Sequence, residues 1–195
     1  SDRAYTPRLM TDALQATLAQ IDAGHGAVRV DALAVSLSCE FLARAADEAP
    51  ARFRSLALVS PTGFSGRRRR RGPPGSTLAV PWLHRGLSNP AWGEGLFRQL
   101  TRPGVVRYFL RKTFGARQID ETMWRYAVLT AHQPGARHAP LHFLSGGLFS
   151  KDINDLYERL ALPVWMSHGT RGDFVDYRAK STVEGRASLR TDGAR

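Results

Sequence analysis

The chain has a single cysteine, Cys39, among 195 residues. That excludes a disulfide framework and a cysteine-rich zinc module, and the usage fits a reducing compartment such as the cytoplasm. No apolar run approaches the roughly 18 residues needed to span a bilayer, and the N-terminal stretch lacks the charged-then-apolar pattern of a signal segment. A cytoplasmic protein with no membrane partner is therefore expected. Acidic residues are scarce, 17 Asp and Glu against 28 Lys and Arg, and the net charge is +11. By itself this suggests a polyanionic partner. Five of the charges, however, form one run, Arg67, Arg68, Arg69, Arg70 and Arg71, between Gly66 and the Gly-Pro-Pro-Gly of Gly72 to Gly75. Such a run reads as a solvated loop. Arginine replaces lysine almost everywhere, as in a sequence-wide bias, and no zinc-finger, RNA-recognition or helix-turn-helix signature is present. No nucleic-acid partner is expected, unless those arginines join Arg98, Arg102, Arg107 and Arg111 in one surface. Disorder as the main state is excluded too, because 43% of the residues are apolar and 23% charged, enough for one sizeable core or two small lobes.

From Pro7 to Ala23 apolar residues recur at helical spacing, which predicts an amphipathic helix ended by Gly24. Residues 28–35 form a short β-branched and apolar stretch, and an Ala- and Leu-rich segment, 39–48, follows with almost no loop. Pro50 closes that helix, and 55–60 reads as a second apolar strand. Helix, strand, helix, strand is the order of a parallel, doubly wound sheet, so an α/β fold is expected. Between Phe64 and about Arg159 most aromatics and several helical stretches gather, the best at 96–100, 104–114 and 121–132, with 150–159 leading back toward the sheet. This reads as a helical insertion. Residues 162–167 form a third buried strand, turned by His168, Gly169 and Gly172. The domain expectation is a core part at 1–63, a helical cap at 64–159, a second core part at 160–178 and a tail at 179–195 without regular structure.

Ala34-Val35-Ser36-Leu37-Ser38 matches small-x-nucleophile-x-small, the sharp elbow that thrusts a serine from a strand end, with Ala34 and Ser38 in place of the usual glycines. A nucleophile at Ser38 would put Glu40 at the second small position, where it crowds the turn, so Ser36 is the better choice. With the strand before and the helix after it, the chain resembles the α/β-hydrolase superfamily from about Tyr5 to Tyr177. The residues that carry the resemblance are 30–38 for the elbow, 49–61 for the next helix end and strand, and 162–169 followed by Asp173 for the strand that delivers the acid. The 64–159 insertion then occupies the place of the helical cap.

The resemblance implies a triad in which Ser36 is the nucleophile, Asp173 the acid and the Leu37 backbone N–H one oxyanion-hole donor. Gly169 and Asp173 are four residues apart where three is common, so Asp176 stays open as the acid. The catalytic histidine should follow the acid at the end of a further strand, yet no histidine follows His168. The loop that supplies the other oxyanion donor should precede the elbow by about a hundred residues, and only 35 precede it. An internal piece of a longer hydrolase, inactive by itself, is therefore expected.

His168 reads as structural, and His138 and His142 sit four apart across Pro140, poor for a metal pair. Cys39 reads as packing behind the elbow and Glu40 as a first-turn residue favoured by the helix dipole. Trp92, Phe97, Tyr108, Phe109, Trp124 and Tyr126 read as cap core. The expectation is a serine hydrolase that cuts an ester or related acyl bond of a small-molecule substrate through an acyl-Ser36 intermediate, with the cap selecting an apolar group and no cofactor. The alternatives are a non-catalytic binding module on the same fold and, behind it, a basic nucleic-acid-binding protein.

Overall fold

The sheet is parallel throughout and its order follows the chain. β1 (Val30–Val35), β2 (Phe53–Val59), β3 (Val164–His168) and β4 (Leu189–Gly193) lie side by side in that order. The structure, a computed structural model, describes residues 4–65, 70–169, 176–178, 180 and 183, and the backbone of 189–193. Two compact units divide the chain. One holds the sheet with α1 (Pro7–His25), α2 (Ser38–Glu48), a short 3-10 turn (Pro50–Arg52) and α8 (Ile153–Arg159); the other, 78–147, is helical.

α1 starts where Thr6 accepts a hydrogen bond from the Leu9 N–H at 3.1 Å and Pro7 supplies the first turn. It runs past Gly24, the expected end, to His25. A glycine inside a helix costs only about 1 kcal/mol, and the stop is set by Gly26, whose φ of 76° leaves the helical region. Ala32 and Ala34 of β1, Leu56 and Leu58 of β2 and Val164 and Met166 of β3 share one face through the registers. That face is buried with Cys39, Ala43 and Ala46 of α2 and Ile153, Leu156 and Leu160 around α8. On the opposite face Leu33 and Val35 are exposed.

Two expectations need correction. The helical unit begins at 78 and ends at 147 rather than spanning 64–159, because Phe64, Ile153 and Tyr157 are buried in the sheet core. The tail expected to lack regular structure contains β4, since β3 offers it a free row of N–H and C=O groups.

In the helical unit, α3 (Pro81–Leu87) and α7 (His138–Leu144) are helices too short for the sequence pattern to reveal, beside α4 (Gly93–Leu100), α5 (Pro103–Phe114) and α6 (Glu121–Ala131). The segments flanking α3 and α7 are joined by the Val80 N–H donating to the Ser145 carbonyl at 2.8 Å. Nearby, Gly146 (φ 78°) has no room for a side chain, because a Cβ there would lie 2.4 Å from the Leu78 carbonyl oxygen. α5 and α6 are clasped by Arg107, which meets Glu121 with both guanidinium nitrogens and lies 4.1 Å over the Trp124 ring. Of the aromatics expected in a cap core, only Phe97 is buried; Trp92, Tyr108, Phe109 and Tyr126 are exposed.

Candidate active site

β1 ends at Val35, and Ser36 stands in the turn before α2 with a φ of 57°, a left-handed conformation that a non-glycine residue seldom adopts. The turn is held on both sides: the Ser36 N–H donates to the Val59 carbonyl at 2.8 Å, and the Ser36 carbonyl accepts from the Cys39 N–H at 3.1 Å. Ser36 is exposed. Leu37 is the N-cap of α2, so its own N–H precedes the helical ladder and has no i−4 carbonyl to donate to within the helix. That is what an oxyanion donor requires. Because the strands are parallel, Ser36, Ser60 and His168 all stand at their C-terminal ends, tied in a row by the Ser60 N–H donating to the Ser167 carbonyl at 2.7 Å. Ser60 is the other non-glycine residue with positive φ, 49°, among the described residues. Sequence reading missed it, and its one signal was the proline that follows.

Behind the turn the packing is close. The Cys39 thiol is fully buried and directed at the Ala34 and Val59 carbonyls, 3.4 and 3.6 Å away. Burial pushes its pKa up to about 12, so it is inert packing, as expected. Glu40 departs from its expected role. It is fully buried, and its carboxylate accepts from the Thr62 hydroxyl at 2.5 Å and from the Ser150 N–H at 2.7 Å. Burial raises its pKa above the usual carboxylate range, against the pull of those hydrogen bonds and of Arg70 at 3.9 Å. Glu40 thus pins the first turn of α2 to the segments after β2 and before α8. A lone acid at a helix start gave no hint of partners 22 and 110 residues away.

The arginine run is described only from Arg70 onward; Arg67, Arg68 and Arg69 lie outside the described residues. Arg71 is exposed, as expected. Arg70 is not: its guanidinium turns inward, toward Glu40 and over the Phe149 ring at 5.7 Å. The buried carboxylate attracts the nearest cation.

Asp173 also lies outside the described residues. Asp176, the other candidate acid, is engaged by Arg178 through both its backbone N–H and its guanidinium. His168 stacks on Tyr177 with ring centroids 4.1 Å apart, which agrees with a structural role. His142 meets His84 of α3 at 4.1 Å, a partner that the 138/142 spacing did not suggest. Burial, then the neighbouring His84 and His138, lower the His142 pKa. Among the described residues no group of three His, Cys, Asp or Glu side chains is placed to hold a metal ion. None of their helices is long and apolar enough to cross a membrane.

A chain-ordered parallel sheet with a strained serine turn between strand and helix is the arrangement of the α/β-hydrolase fold, and the chain has that fold. Solved structures agree at low identity. An N-formylmaleamic acid deformylase from Pseudomonas putida superposes with a TM-score of 0.62 at 17% identity, over 99% of this chain and 67% of that one. A 2-hydroxy-6-oxo-6-phenylhexa-2,4-dienoate hydrolase from a Rhodococcus species gives 0.66 at 16%, over 99% and 66%. A bromoperoxidase from Bacillus anthracis gives 0.65 at 16%, over 98% and 66%. The chain spans about two thirds of the length of these neighbours. No protein-family model matches the sequence, and no curated protein matches it either.

Proposed function

We propose that Ser36 is the nucleophile of a serine hydrolase that cleaves an ester or related acyl bond. The observation that carries this reading is the left-handed backbone of an exposed serine at the strand-to-helix turn, φ 57°. Such strain persists only where surrounding bonds impose it, and it clusters at functional sites. In the reaction, the Ser36 Oγ attacks the acyl carbon while a base takes its proton. The Leu37 N–H donates to the oxyanion of the tetrahedral intermediate, whose collapse expels the alcohol or amine and leaves acyl-Ser36. A water molecule then releases the acid by the same steps. Asp173 is the acid that orients the base, favoured over Asp176 because Arg178 engages the latter carboxylate. The deformylase and hydrolase names of the structural neighbours favour a small acyl substrate of this kind.

The base is the group this chain does not offer in the expected place, since its last histidine is His168. Without a base the serine hydroxyl stays protonated, and loss of such a partner lowers turnover on the order of a million-fold. The 195-residue chain is thus expected to turn over p-nitrophenyl esters no faster than its Ser36→Ala variant. A longer chain that supplies a histidine after the acid is expected to show Ser36-dependent turnover. Loss-free activity in the longer chain's Ser36→Ala variant would refute the assignment. Ser36-dependent turnover by the 195-residue chain alone would mean that one of His138, His142 or His168 serves as the base. A fluorophosphonate probe that fails to label Ser36 in the longer chain would select a second reading, a binding module without catalysis.

A further inference from the structure

Neither helix of the α5–α6 hairpin has a buried residue, and at 12 and 11 residues they are the longest helices here of which that is true, the seven-residue α3 being the other. Tyr108, Phe114, Tyr126 and Leu129 are each half or more exposed, at 56, 50, 67 and 64%. Tyr126 and Leu129, three apart on α6, lie on one side of that helix, with Arg125 four before Leu129 on the same side, and large exposed apolar groups grouped in this way mark an interaction surface. The charge among them has one sign. Residues 103–131 hold five cationic side chains and two acids, and both acids are engaged: Asp120 accepts the Met123 N–H to cap α6, and Glu121 is clasped by Arg107. Arg111 and Arg125 flank that pair closely enough to lower the Glu121 pKa, though less than Arg107 does.

We propose that the α5–α6 hairpin is a docking surface for an anionic lipid bilayer, with Tyr126 and Leu129 entering the interface and Arg111 and Arg125 meeting lipid phosphates. A second copy of this chain is the poorer occupant, because a protein of net charge +11 repels itself. Nucleic acid would satisfy the arginines and leave Leu129 and Phe114 in water. An anionic bilayer satisfies both, as it does for surface-lying amphipathic helices that span nothing. The expectation of no membrane partner rested on spanning segments alone and does not reach such a surface. The proposal is independent of the role of Ser36.

The test is co-sedimentation of the 195-residue chain with vesicles of phosphatidylcholine, with or without phosphatidylglycerol. Binding is expected to the mixed vesicles only and to weaken as salt rises. Tyr126→Ser with Leu129→Ser should lower it by about tenfold or more. Arg111→Glu with Arg125→Glu should abolish the preference for the anionic lipid, with circular dichroism unchanged in both variants. Three results overturn the proposal: no binding or equal binding to the two vesicles; tighter binding to a single-stranded oligonucleotide that ignores the Tyr126 and Leu129 changes; or dimerisation lost with those changes while vesicle binding persists.

Discussion

The two units of the chain hold together by different means. In the sheet unit, buried apolar residues from three strands, α2 and α8 form one cluster, crossed by polar ties that are themselves buried. Arg44 meets Asp152 at 2.7 Å with side chains 8% and 2% exposed, Asp152 also accepts the Gly75 N–H, and Glu40 takes Thr62 and Ser150. In the helical unit the described burial is confined to a few positions such as Phe97 and Leu141, and α5 and α6 are held by surface clasps. A parallel sheet cannot form without long-range partners, so its unit concentrates contacts between distant segments. Helices satisfy their own backbone, so a helical unit tolerates exposure that would undo a sheet.

The largest expected effect breaks the sheet unit at its buried ion pair. Arg44→Ala leaves Asp152 charged and unpaired and should lower stability by about 3–5 kcal/mol in urea unfolding. Arg44→Met combined with Asp152→Leu should lose far less, because no buried charge remains. Similar loss in the single and double variants would show that the pair does not act as a unit.

Two buried carboxylates sharpen the comparison by titrating with opposite sign. Glu40 has its folded pKa raised, mainly by burial, so its contribution is full below the ordinary carboxyl range and is lost as pH rises through the folded value. Glu40→Gln should therefore stabilise the protein near about pH 8 and have little effect near about pH 4. For Asp152 burial alone would raise the value, but the Arg44 bond and the Gly75 N–H together hold it below the usual range. Its contribution is present at neutral pH and lost as pH falls through the folded value. Asp152→Asn should be destabilising at neutral pH and flatten that acid limb. Unfolding curves across this range read both signs.

A smaller effect is expected at the elbow. Ser36→Gly removes the strain of the left-handed conformation and should stabilise the sheet unit by about 1 kcal/mol, seen as a higher urea midpoint, while abolishing the proposed chemistry. An unchanged midpoint would mean that the turn is not strained. The smallest effect belongs to the helical unit: Tyr126→Ser at an exposed site should change stability by no more than about 0.5 kcal/mol. Anything larger would show that α5 and α6 are covered in solution.

The strands and the elbow were legible because their signals are local. Residues 30–35 and 53–59 carry the apolar stretches, proline and serine mark the ends, and the small residues around Ser36 announce a sharp turn. The strand boundaries moved by two residues or fewer, since pairing rather than composition decides where a ladder stops. The strand-to-helix turn at Ser36 and Leu37 was legible because the two are neighbours in the chain. The site was not legible at Glu40, Ser60 or Arg70, whose partners lie far along the sequence.

By itself, then, the sequence determined the order of strand and helix, the strand-to-helix turn and the predominance of positive charge, all properties of a residue and its near neighbours. The tertiary structure alone decided that Glu40 is a buried tie rather than a helix-start charge, that Arg70 turns inward to face it, and that Tyr108, Phe114 and Tyr126 are exposed rather than part of a core. Each of these depends on what a distant segment brings to the same place, and burial and electrostatics are set by that company, which no local pattern encodes.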